Sequence, residues 1–137
     1  MGEHWLKAPE WSWNRLKGEA GYVHHWVEKL DEMKETPDLI VYGAPISRSS
    51  ISVSGASLYP AEFRRMWRGF ATYNLDEKID LTSFKVADAG DVAVHTTDIP
   101  LSHQRIQETT AYLAASYPQT VTCMIGGDHS TTACAVR

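Results

Sequence analysis

Apolar positions along the chain alternate between two spacings. Val23, Trp26, Val27, Leu30 and Met33 recur at the i, i+3, i+4, i+7 intervals of one helical stripe and predict a helix over residues 20–34. Thr36-Pro37-Asp38 breaks that pattern. Leu39-Ile40-Val41-Tyr42 is apolar without alternation, as expected of a strand covered on both faces of a parallel sheet, and it ends at Gly43-Ala44-Pro45. Pro60 opens a second helix at a position that tolerates it, with Phe63, Met66, Trp67 and Phe70 as its buried stripe and Gly69 near its end. Phe84-Lys85-Val86-Ala87 predicts a second strand running into Asp88-Ala89-Gly90-Asp91-Val92. Asp98 and Pro100 start a third helix that reaches Tyr117, its inner face marked by Ile106, Thr109, Thr110, Leu113 and Tyr117, and Pro118 stops it. Thr120 to Ile125 is the third strand, and Ser130 to Arg137 begins a fourth helix.

Helix, strand, helix, strand, helix, strand and helix onset in that order predict an α/β sheet with right-handed crossovers. The segments between these elements are less regular. Residues 1–19 carry Trp5, Trp11 and Trp13 among polar residues and are expected to form an irregular arm packed on the outside of a core spanning residues 20–137. Large aromatics of this kind also favour subunit contacts. His24 and His25 are adjacent, so they point in different directions on a helix, and they are expected at the surface. Ile46 to Ser57 is a serine-rich loop in which Arg48 is a candidate carboxylate holder. Tyr73 to Thr82 reads as a polar connection.

Composition narrows the class. With 137 residues, 43% of them hydrophobic and 22% charged, the chain is globular and amounts to one domain or part of one. A net charge of −4 with scattered basic residues argues against nucleic acid as a partner. The short cluster Arg64, Arg65 and Arg68 is expected to be the solvated face of a helix. Two cysteines, Cys123 and Cys134, suit a reducing compartment better than a disulfide framework. No apolar run approaches the ~20 residues of a membrane span, and residues 5–15 mix charge with aromatics, unlike a signal peptide. The expected location is the cytoplasm.

Candidate chemistry concentrates where the third strand ends, in Gly126-Gly127-Asp128-His129-Ser130. Two glycines permit a tight turn and a close approach. His129 then lies at the carboxyl end of a strand, where open α/β sheets keep their ligands, and a neutral imidazole there suits a divalent transition metal. The competing reading is a turn whose Asp128 and Ser130 merely cap the next helix. Asp88 and Asp91 are expected at the same sheet edge. Either His129 forms a mononuclear metal site with Asp88, Asp91 or His95, or one aspartate caps a turn and the other braces a loop. No dinucleotide or phosphate-loop fingerprint is present, and Asp128-His129-Ser130 is no hydrolase triad, since three consecutive side chains cannot form one relay.

Four segments taken together resemble the ureohydrolases: arginase, agmatinase and formimidoylglutamase. They are Tyr42-Gly43-Ala44-Pro45, then Ser54-Gly55-Ala56 with Pro60 and Arg64, then Ala87-Asp88-Ala89-Gly90-Asp91-Val92, and finally Gly126-Gly127-Asp128-His129-Ser130. The likeness runs from about Asp38 to the last residue. The serine-rich loop and Tyr59-Pro60 depart from the arginase pattern and fit an agmatinase-like or formimidoylglutamase-like branch better. The resemblance implies a three-layer α/β/α fold with a mainly parallel sheet, here an incomplete portion of it. It also implies a binuclear Mn2+ site whose bridging hydroxide attacks a guanidino or amidino carbon of a small-molecule substrate. Within that site His129 would be a metal ligand and Asp128 would support the turn. The family's Asp-x-His-x-Asp and Asp-x-Asp segments have no counterpart here, so the chain is expected to be the front half of such an enzyme, inactive alone, with a homo-oligomer implied for the full length. The alternative is a truncated or degenerate, non-catalytic α/β module acting through a partner.

Overall fold

The computed structural model describes residues 5–47 and 54–136. Its centre is a five-stranded sheet built around three parallel strands. In chain order the elements are β1 (Leu6–Lys7), α1 (Val23–Trp26), β2 (Glu28–Lys29), β3 (Leu39–Ala44), α2 (Tyr59–Met66), β4 (Tyr73–Asn74), β5 (Ile79–Asp80), β6 (Val86–Val92), α3 (Ile99–Ser116), β7 (Val121–Gly126) and α4 (Ser130–Ala135). Strand β3 lies between β6 and β7 and runs parallel to both. On its far side β6 carries β2, parallel, beside Ala87 and Asp88, and β1, antiparallel, beside Asp91 and Val92.

Alternation along β3 explains the layers. Ile40, Tyr42 and Ala44 face a core shared with Ala87, Val92, Ile106, Leu113 and Cys134, so α3 and α4 cover that face. Val41 faces the other way, into a cluster with Val27, Val86 and Trp67, with Val23, Trp26 and Phe63 packed against it. That is a three-layer α/β/α arrangement. Helix α3 begins as expected: the Asp98 carboxylate accepts the Leu101 N–H at 2.9 Å, and Pro100 occupies the first turn.

Three expectations are corrected. The helix over residues 20–34 shrinks to the single turn α1. Glu28 and Lys29 pair with β6, and the Leu30 N–H donates to Asp88 O at 2.9 Å, so the backbone bonds that would extend a helix go to the sheet instead. Its apparent stripe is split as well: Val23, Trp26 and Val27 pack on one face of the sheet, Leu30 and Met33 on the other. The arm is not irregular throughout, because Leu6–Lys7 is a paired strand. Nor is Tyr73 to Thr82 a plain connection. It forms the β4–β5 hairpin, whose turn is tied by the Asn74 carboxamide oxygen accepting from the Asp76 and Glu77 N–H groups.

Smaller differences follow from the same packing. His24 is buried, not at the surface: its ring lies 5.0 Å from that of Trp13, and its Nε2 accepts the Glu19 N–H. On α2 the buried positions are Pro60, Ala61, Arg64 and, just beyond, Trp67, while Met66 and Phe70 stand half exposed at 52% and 50%. Arg48 and the centre of the serine-rich loop lie outside the described residues.

Candidate functional site

The three parallel strands end together. Residues Ala44 of β3 and Gly126 of β7 are paired, and Gly43 is level with both Asp91 of β6 and Ile125 of β7. Beyond Gly126 the chain turns against the exit of β3. Gly127 has φ +44°, and a Cβ built on it would lie 2.2 Å from Ala44 O and 2.9 Å from Ile46 O, so only glycine fits this approach. The Asp128 N–H donates to Ile46 O at 2.7 Å and fixes the turn against β3.

His129 is exposed at the start of α4 and makes no side-chain cap. Its neighbours are both tied. The Asp128 carboxylate accepts the Ser130 N–H at 3.1 Å and the Ser130 hydroxyl, and Asp128 O accepts the Thr131 N–H and hydroxyl. Asp128 therefore ties the first turn of the helix, with Ser130 as one of its donors, and the same bonds hold an outward-facing imidazole at the carboxyl edge of a parallel sheet.

Asp88 and Asp91 do not join His129. Asp88 pairs with Val41 in the middle of β3, three residues short of the carboxyl edge at which it was expected. Both carboxylates are buried and bound to Arg64 of α2. Arg64 Nε and Nη2 donate to the two oxygens of Asp88 at 2.7 and 2.9 Å, Nη1 donates to Asp91 Oδ1 at 2.8 Å, and Nη2 also reaches Gly90 O at 3.1 Å. The expectation that Arg64 belongs to a solvated basic face is thus wrong: its side chain is 3% exposed. Burial alone would lower its pKa, but the hydrogen bonds and charges of Asp88 and Asp91 prevail and raise it above the usual arginine value. Asp88 also accepts the Gly90 N–H, which is the turn-bracing role weighed against a metal role.

The shared grip depends on a bulge. Residues three apart in a regular strand face opposite sides. Between Val41 and Gly43 the β3–β6 register slips by one residue, and Gly90 there has φ +84°. The extra residue returns Asp91 to the face of Asp88. A Cβ on Gly43 would lie 1.9 Å from Asp91 Oδ1, so the absence of a side chain there leaves room for the carboxylate.

His95 does not complete a site either. Its Nδ1 accepts the N–H groups of Thr97 and Asp98 in the approach to α3. Among the described residues no group of three or more His, Cys, Asp or Glu side chains is arranged to hold a metal ion. The mononuclear site of His129 with Asp88, Asp91 or His95 is therefore not formed, because Arg64 and the α3 approach take its other members. The role of Arg64 had a sequence signal: Pro60, Arg64 and Trp67 are spaced i, i+4, i+7 on one helical face. What that spacing lacks is any indication of the partners 24 and 27 residues away.

Comparison with known proteins agrees with this layout. The Arginase family model matches residues 37–137. Formimidoylglutamase of Halalkalibacterium halodurans is 38% identical over 120 residues, which cover 83% of this chain and 38% of that protein. The crystal structure of formimidoylglutamase from Bacillus subtilis superposes with a TM-score of 0.77 at 27% identity, covering 95% of this chain and 40% of that one. A manganese-bound variant of Trypanosoma cruzi formiminoglutamase shares the fold, with a TM-score of 0.65 at 23% identity over 76% of this chain and 35% of that one. The chain spans about two fifths of the length of the first two relatives. An Arginase family match over most of the chain, joined to a three-layer sheet ending in the Gly126-Gly127-Asp128-His129 turn, makes this chain a member of the arginase family.

Proposed function

We propose that this chain carries the first metal-ligand motif of a manganese-dependent hydrolase of guanidino or amidino C–N bonds, with His129 as a donor to one metal. The observation that carries the reading is the exposed imidazole of His129 on a turn tied from both sides, at the carboxyl edge of a parallel sheet in an arginase-family chain. A neutral imidazole fits a divalent transition metal. The carboxylates Asp88 and Asp91 are committed to Arg64, so the described residues supply one donor and not a full ligand set. The remaining donors of the proposed binuclear site would come from outside the described residues. Manganese, when bound, supplies Lewis-acid activation of water; the chain's own contribution is one held imidazole. The two relatives of greatest similarity described above are formimidoylglutamases, which favours a formimidoyl amidine over a guanidine as substrate. A cytoplasmic location completes the reading, supported by two free cysteines, which suit a reducing compartment, with a homo-oligomer proposed from the family resemblance alone; among the described residues no helix is long and apolar enough to cross a membrane.

The lone donor also favours a second reading, a non-catalytic α/β module acting through a partner. One experiment separates the two. In the longest polypeptide that contains this chain, hydrolysis of N-formimidoyl-glutamate should require added Mn2+ and disappear in His129→Ala, with the fold retained by circular dichroism. A folded protein with no Mn2+-dependent hydrolysis of amidino or guanidino substrates would favour the non-catalytic module.

A further inference from the structure

We infer that His103 of α3 is a positioning residue for the turn that presents His129. The inference deepens the reading of His129 as a metal donor and rests on it for the identity of the group being positioned. His103 Nε2 lies 2.8 Å from Ser130 Oγ, across 27 residues of chain, and that hydroxyl contacts Asp128 Oδ1. A serine hydroxyl carries one proton and an ionised carboxylate only accepts, so the Ser130 proton lies on the Asp128 side. The Ser130 oxygen then offers only lone pairs to the imidazole, and the hydrogen between them belongs to His103 Nε2. The relay has one direction: imidazole N–H to hydroxyl, hydroxyl to carboxylate.

Its consequence is geometric. Asp128 and Ser130 flank His129. On one side Asp128 N–H is fixed to Ile46 O at the exit of β3. On the other, Ser130 Oγ is fixed to α3 through His103. The bonds from Thr131 and from the Ser130 N–H to Asp128 are local and would form at many helix starts. The His103 bond instead registers the turn against another element. Helix α3 is a firm reference, since Ile106 and Leu113 are wholly buried in the core. The imidazole of His129 stays exposed while the backbone on either side of it is held.

The test compares the metal-free chain with its His103→Leu and His103→Gln variants by amide exchange, followed by Mn2+ titration of the histidine ring signals. In His103→Leu the Ser130 amide should exchange about tenfold faster, with the Ile106 and Leu113 amides unchanged as the control for folding. The Mn2+ concentration that half-broadens the His129 ring should rise about tenfold, the lower end of the range for groups that orient a metal ligand. His103→Gln keeps an N–H donor at similar reach and should restore both readings. At neutral pH the unmodified His103 should be the Nε2–H tautomer. An unchanged Ser130 exchange rate in His103→Leu, a Gln variant no better than Leu, or an Nδ1–H tautomer would overturn the inference. If Mn2+ leaves the His129 ring untouched in the unmodified chain, the metal reading falls, and the exchange rates still decide the role of His103.

Discussion

Arg64 takes a full positive charge to a site where its side chain is 3% exposed, and it does so because two carboxylates await it. Desolvating three charges is costly, and hydrogen bonds to every guanidinium nitrogen offset that cost only while all three partners remain. Replacing Arg64 with Met keeps much of the volume but strands two buried acids. Denaturant unfolding of Arg64→Met should show a loss of about 3–5 kcal/mol, and Arg64→Lys should recover only part of it, since one ammonium cannot match the bidentate grip on Asp88. Little or no loss in Arg64→Met would mean that the cluster is not what secures α2 to β6. At this scale the sequence was half legible. Pro60, Arg64 and Trp67 share one helical face, yet Arg64 was expected on the solvated side, because an arginine among other arginines reads as solvated until its distant acids are seen. Asp88 and Asp91 could not be placed on one face from sequence either, because their three-residue separation implies opposite faces unless Gly90 is known to bulge.

Elements formed by long apolar runs were easier to read than those held by partners. Strands β3 and β7 and helix α3 lie where unbroken apolar runs, Asp98 and Pro118 mark them. By contrast, α1 and β2 came from a stretch with helical spacing whose backbone bonds are taken by the edge of β6, which no local pattern records. The arm is held similarly. The Trp5 indole N–H donates to Glu108 Oε2 at 2.6 Å, and the Arg105 guanidinium lies 4.3 Å from the Trp5 ring centre. The hydrogen bonds from Gln104 and Trp5 hold the Glu108 carboxyl below its ordinary pKa. A depressed carboxyl pKa contributes stability that is present above the unfolded-state value and is lost as pH falls through the folded-state value. The Trp5 contact should therefore persist at neutral pH and loosen only in acid, below the ordinary glutamate range. The indole N–H signal of Trp5 followed against pH by NMR should titrate there, and Glu108→Gln should remove that titration. A Trp5 signal that titrates near pH 7, or not at all, would detach the arm from Glu108.

The whole molecule is a three-layer core with β7 at one edge of its sheet. Beyond β7 no strand pairs among the described residues, and Val121 and Cys123 on that strand are exposed. The turn after β7, which carries the Gly126-Gly127-Asp128-His129-Ser130 motif, is fixed by β3 on one side and α3 on the other. The scaffold and the location of His129 were readable because glycines, a buried run and a helix start are local signals. The ties that hold the turn were not, since His103 lies on another element and no periodicity links it to Ser130. The central claim is that this imidazole, and no other histidine among the described residues, is set out to receive a divalent metal. Titrating Mn2+ into the chain while following the histidine ring signals by NMR tests it most directly: the ring of His129 should broaden first, well before that of His95, which is also exposed, and a His129 signal that broadens no sooner than His95 would contradict it.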